Sequence, residues 1–91
     1  MIFEWDRKKE QDNISKHGVS FETARKVFED PYRIIRDDEK HSATEARYFA
    51  IGMVDERVLT VRFTMRGEAI RIIGAGYWRK GEANYEQENN I

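Results

Sequence analysis

The stretch from Arg57 to Gly74 constrains the fold of this chain more than any other. Leu59, Val61, Phe63 and Met65 alternate with Val58, Thr60, Arg62 and Thr64, the period of a strand with two different faces. Arg66-Gly67-Glu68 breaks the run, with Gly67 free to take a positive φ. Ile70 and Ile72 then face one way, while Ala69, Arg71 and Ile73 face the other. The pattern predicts a β-hairpin with an apolar back and a front whose polar members are mostly arginines. From Arg57 to Lys80 the chain carries six basic residues against one acidic residue, Glu68. Such a front suits a polyanion.

The formal net charge of the whole chain is only −1, so any polyanion site is local. Residues 1–45 hold nine basic and eleven acidic side chains, whereas residues 57–80 carry a net +5. Nucleic acid would therefore meet one basic region on an otherwise acidic body. Ninety-one residues suffice for one core and one domain. We place that domain at 1–87, with 88–91 a polar tail open to disorder. A hydrophobic content of 40% argues for a folded globule. The absence of cysteine removes disulfides and thiolate metal sites, and fits a reducing cytoplasm. Neither a membrane span nor a signal peptide is expected from the hydropathy pattern.

Read in order, Ile2 to Trp5 suits a short strand. Asp6 is a good N-cap for a polar helix from Arg7 to His17, anchored chiefly by Ile14 and stopped at Gly18. Ser20 caps a second helix, in which Phe21, Ala24, Val27 and Phe28 form one apolar stripe. Asp30-Pro31 ends it, because the residue before a proline is pushed out of the helical region. Tyr32 to Arg36 reads as a strand, Asp37 to Lys40 as a solvated connection, and Ala46 to Met53 as another strand. Asp55-Glu56 turns the chain into the hairpin. A short helix from Arg79 to Gln87, weakened by Gly81, closes the chain. The expected fold is α+β: an antiparallel sheet with two N-terminal helices and one short C-terminal helix, in the order β-α-α-β-β-β-β-α.

Two histidines and no cysteines leave little for a metal centre, and we expect none. His17, before Gly18, suits a helix end. His41 stands in a polar loop, with Glu45 four residues on and Arg47 beyond. Brought together, a histidine, a carboxylate and an arginine can move a proton and hold a phosphate; kept apart, they are a solvated loop histidine and a surface ion pair. Arg62, Arg66 and Arg71 can clamp oxyanions with their planar forks, or merely keep an exposed sheet face soluble. The local basic excess favours the clamp. Tyr77 and Trp78, beside Arg79 and Lys80, can stack a base over a basic groove or close a small core.

The ordered set Phe3-Glu4-Trp5-Asp6, Asn13, Lys16-His17-Gly18-Val19, Phe21-Glu22, Val27-Phe28, Asp30-Pro31, His41-Ser42, Glu45, Arg47, Thr64, Arg66 and Arg71-Ile72-Ile73 resembles the BrnT family of type II toxin–antitoxin toxins. The resemblance runs over almost the whole chain and implies a RelE-like fold. It implies a small cytoplasmic ribonuclease that cuts mRNA without a metal or other cofactor, by attack of the RNA 2′-hydroxyl on the adjacent phosphate. It also implies a BrnA-like ribbon-helix-helix antitoxin as partner, contact with DNA only through that complex, and growth arrest when the toxin acts alone. By position, the catalytic candidates are His41, Glu45, Arg47, Arg66 and Arg71, with Arg62, Tyr77, Trp78, Arg79 and Lys80 as RNA-binding candidates. After Ile73 the family pattern calls for Ser-Ala-Arg, and this chain has Gly74-Ala75-Gly76. An alternative is therefore a catalytically weak or silent module that keeps the antitoxin interface.

Overall fold

The computed structural model describes residues 1–91. Strand β1 (Ile2–Trp5) leads into helix α1 (Arg7–His17), then a short helix α2 (Phe21–Ala24) that tightens into a 3-10 turn (Arg25–Glu29). Strand β2 (Ile34–Asp37), a second 3-10 turn (Glu39–His41) and strand β3 (Arg47–Val54) follow. The hairpin of β4 (Arg57–Arg66) and β5 (Ala69–Gly76) comes next, and helix α3 (Arg79–Asn89) ends the fold. The sheet order is β1-β5-β4-β3-β2.

The turns behave as their residues dictate. Gly67 takes φ +60° between β4 and β5, and Asp55 and Glu56 take φ +49° and +69° between β3 and β4. Such a pair of positive φ values suits the twist of a tight hairpin. Asp6 caps α1 by accepting from the Lys8 and Lys9 amides, and Gly18 closes it with φ +68°.

The sheet is mixed, not purely antiparallel as expected, because β1 runs parallel to β5 from Ile2 opposite Ala69 to Trp5 opposite Ile72. The reason lies in α1. Its Asn13 side chain accepts from the Ala75 amide and donates to the Ala75 carbonyl, both at 3.0 Å. β1 and then Asn13 thus satisfy successive stretches of one β5 edge, which requires the chain to advance in the direction of β5. Asn13 is the buried anchor of α1, while Ile14, the expected one, is exposed.

The helical order also differs from the expected one. The second helix is split after Ala24, and an extra 3-10 turn is inserted before β3. Tighter winding brings the Val27 backbone onto β3 at Gly52, where an added Cβ would lie 3.0 Å from the Val27 carbonyl oxygen. The apolar stripe survives the change: Phe21, Ala24, Val27 and Phe28 pack on Leu59, Val61, Phe63, Ile70 and Ile72.

The opposite face of the sheet is partly covered as well. There α3 packs on β3 and β4, with Tyr85 against Ile34, Ile51 and Val58. Asp30 fixes this docking from inside. It accepts from the Met53 amide at 2.7 Å, the Tyr85 hydroxyl at 2.6 Å and the Tyr32 amide at 2.8 Å. Helix α3 reaches Asn89, past the expected end, and Glu88 pairs with Arg36 of β2 at 3.1 Å. Gly81, read from sequence as a weakness, lets α3 approach β4: an added Cβ would collide with the Thr60 hydroxyl. No helix is long and apolar enough to cross a membrane.

Candidate active site

The uncovered part of the α3 face is where the arginines gather. Strand register builds one row across it: Glu4 opposite Arg71, Arg71 opposite Thr64, and Thr64 opposite Arg47. A second row sets Gly74 opposite Arg62, and Arg62 opposite Phe49. Between the rows β5 carries a bulge. Phe63 faces Ile72 and Arg62 faces Gly74, which leaves Ile73 as the extra residue. The bulge returns Ala75 to the core and leaves glycine, with no side chain, beside Arg62.

Each arginine in the rows has a carboxylate within reach. Arg71 Nη1 donates to Glu4 Oε2 at 2.9 Å, which ties the edge strand to β5 and fixes the guanidinium. Arg47 Nη2 lies 3.7 Å from Glu45 Oε1, a looser pair that leaves Arg47 Nε buried without a partner. Arg62 Nε stands 3.3 Å from Asp38 Oδ2 without hydrogen-bond geometry. These are partly shielded pairs, so both partners are constrained without their charge being lost to the surface.

Asp38 is the surprise of the site. Sequence placed it in a solvated connection, yet its side chain is only 3% exposed. It holds His41, whose Nδ1 lies 3.1 Å from Oδ1 and 3.2 Å from Oδ2. A carboxylate at Nδ1 fixes the ring orientation and presents the other nitrogen to a substrate. Ser42 supports the turn: its hydroxyl donates to the Asp38 carbonyl at 2.6 Å and accepts from the Arg47 amide at 2.9 Å. Asp38 therefore links His41, Arg62 and the start of β3. Its burial comes from the 3-10 turn that folds Glu39–His41 back over it, and an Asp-Asp-Glu-Lys string carries no signal of that.

The remaining candidates separate. Arg66 sits exposed at the end of β4 and makes no ion pair. Arg79 and Lys80 open α3, exposed. Tyr77 turns to the other side, packed on the main core with the Arg57 guanidinium 3.7 Å from its ring centroid. Trp78 stays on the arginine face, edge-on to His17 at 5.4 Å between ring centroids. It fills the space above Gly76, where an added Cβ would come within 2.7 Å of its ring. Glu4 and Asp38 are the site residues that sequence reasoning missed. The period-two pattern puts Glu4 on a strand but does not name the strand's partner.

No group of three or more His, Cys, Asp or Glu side chains is arranged to hold a metal ion. What the face offers is fixed guanidiniums for an oxyanion and an oriented imidazole for proton transfer.

Fold and face together define a small α+β protein with a row of fixed arginines on the open part of a mixed sheet. The family model described as "Ribonuclease toxin, BrnT, of type II toxin-antitoxin system" matches residues 5–82, and the chain belongs to that family. Membership brings ribonuclease activity, an RNA target and an antitoxin partner. No curated protein matches the chain.

Proposed function

We propose that this toxin cleaves mRNA in the cytoplasm without a metal, and that a DNA-binding ribbon-helix-helix antitoxin holds it inactive. The observation that carries the reading is the Asp38-held imidazole of His41 beside the arginine rows. In the reaction the RNA 2′-oxygen bonds to the adjacent phosphorus and the bond from phosphorus to the 5′-oxygen breaks. One protein group takes the 2′-hydroxyl proton, and another protonates the departing 5′-oxygen. His41 and Glu45 are the groups for these transfers. Arg71 and Arg47 face the charge that grows on the phosphate, where preorganised donors act most strongly. Arg66, Arg62, Trp78, Arg79 and Lys80 hold the RNA on either side.

The test is cleavage of RNA by the purified chain in excess EDTA. The products expected are a 5′-hydroxyl fragment and a 2′,3′-cyclic phosphate or its 3′-phosphate. Loss of cutting on chelation, restored by magnesium or zinc, defeats the mechanism.

One observation favours a second reading. Gly76 stands where the family pattern has an arginine, and Trp78 occupies the space above it. A silent module that keeps only the antitoxin interface would carry such a change. Inducing the chain alone in bacteria separates the two: growth arrest with falling translation supports the nuclease, and unimpaired growth the silent module.

A further inference from the structure

Between the first turns of helix α3 and strands β3 and β4 is a cavity of about 400 Å³, which Phe49, Thr60, Arg62, Trp78, Lys80 and Asn84 help to line. That volume lies within the range of sites for ligands of nucleotide size. Its two aromatic walls are held in place. Phe49 is fixed on β3, with the Arg62 guanidinium carbon 5.5 Å from its ring centroid. Trp78 is backed by Gly76 and braced by His17.

Thr60 is 4% exposed, and its hydroxyl lies under Gly81 of α3 without a hydrogen-bond partner, so it belongs to the floor of the cavity. Of the charged lining, Arg36 and Arg62 pair with Glu88 and Asp38, Asp37 adds a carboxylate, and Lys80 is the free cation. An apolar ligand would waste these cations, and a free phosphate would waste the aromatic walls. A nucleotide uses both, since its ring stacks while its backbone stays anionic. Arg62 joins this cavity to the reaction face, because the same side chain reaches Asp38 and through it His41.

We propose that the cavity receives one unpaired nucleobase of the substrate RNA, next to the phosphate being cut. Phe49 and Trp78 supply the stacking surfaces, and Asn84 meets the base edge. Arg62 stands between base and phosphate. This rests on the ribonuclease reading of the arginine face and adds to it a position at which the toxin selects its RNA.

The probe is a short labelled RNA with a 2′-deoxy substitution at the cleavage position, so that binding is read without cutting. In companion RNAs each nucleotide in turn is replaced by an abasic one, and binding to the full chain is followed by fluorescence anisotropy. One abasic position should weaken binding by roughly 5- to 100-fold, the usual worth of stacking one base on aromatic side chains. Phe49→Leu should erase the difference between base and abasic at that position. Asn84→Ala, on the helix surface, should change which base is preferred there without changing the melting temperature. Equal binding of all abasic RNAs overturns the proposal, as does base dependence untouched by both variants. Cleavage without base dependence defeats the cavity alone, whereas base-dependent binding without any cleavage defeats the ribonuclease mechanism alone.

Discussion

Arg71 and Arg66 carry the same charge on the two strands of one hairpin, yet their surroundings assign them different work. Arg71 lies mid-strand, held by Glu4 at 2.9 Å and flanked by Thr64, whose hydroxyl is itself tied to the Ala46 carbonyl at 2.6 Å. Arg66 is exposed beside the Gly67 turn, free to follow a substrate. A fixed donor stabilises charge that appears only in the transition state, whereas a mobile one binds substrate and transition state alike. Arg71→Ala should therefore cut single-turnover cleavage at saturating enzyme by roughly 100- to 1,000-fold, or about 2.7–4 kcal/mol. Arg66→Ala should mainly raise the concentration needed for saturation. Arg71→Lys should stay impaired, because an ammonium keeps the charge and loses the fork. Thermal melts must accompany the kinetics, since the Glu4 pair also ties β1 to the sheet. A parental rate for Arg71→Ala beside a dead Arg66→Ala at saturation reverses the assignment.

Among the elements, α3 depends most on one buried contact. Burial works against charge on Asp30, but the donated Met53 amide, Tyr85 hydroxyl and Tyr32 amide, with Arg33 nearby, outweigh it and hold the carboxyl below its ordinary 3.8. Burial first, then the bond to Asp30, pushes Tyr85 up to about 12. The signs follow. Asp30 contributes its stability fully above its unfolded value and loses it as pH falls through its lower native value. Tyr85 contributes fully below 10.0 and loses its share as pH rises through about 12. Tyr85→Phe should cost about 1.5–3 kcal/mol near neutral pH, the usual worth of a hydrogen bond to a charged group. The gap to the parent should narrow in strong acid and above pH 12; a gap independent of pH in urea melts would place the loss elsewhere. The hairpin, the Asp30-Pro31 stop and the α2 stripe were legible in the sequence because each is decided by neighbours in the chain. The direction of β1, the burial of Asp38 and the use of Gly81 were not. Each is decided by a surface built from distant residues, and a short polar or mixed segment carries no record of what will cover it. Of the site, the arginines, His41 and Glu45 were readable as types, while Glu4 and Asp38, which hold Arg71 and His41, were not.

On the scale of the whole molecule, Arg62, Arg71 and Lys80 bear on the α3 face of the sheet, while Arg57 packs on Tyr77 on the other side. The α2 face of the sheet is closed by the main core, whereas part of the arginine face stays open and can meet either partner. RNA and antitoxin should then exclude each other. We expect an acidic or apolar segment of the antitoxin to lie over Arg66 and Arg71 and block RNA sterically. Like charges on a flat face repel a second cation-rich surface, so the covering segment should not be basic. Because rim charges chiefly set association rates, Arg66→Glu should slow antitoxin capture and steepen its recovery with added salt, while Arg71→Ala should speed release. Stopped-flow association and dissociation of the purified pair give both rates. Competition with the uncleavable RNA tests exclusion directly: antitoxin added to a preformed RNA complex should release the RNA completely. A stable ternary complex, or Arg66 and Arg71 left fully solvent-exposed in a complex that still restores growth, means that inhibition works from another surface.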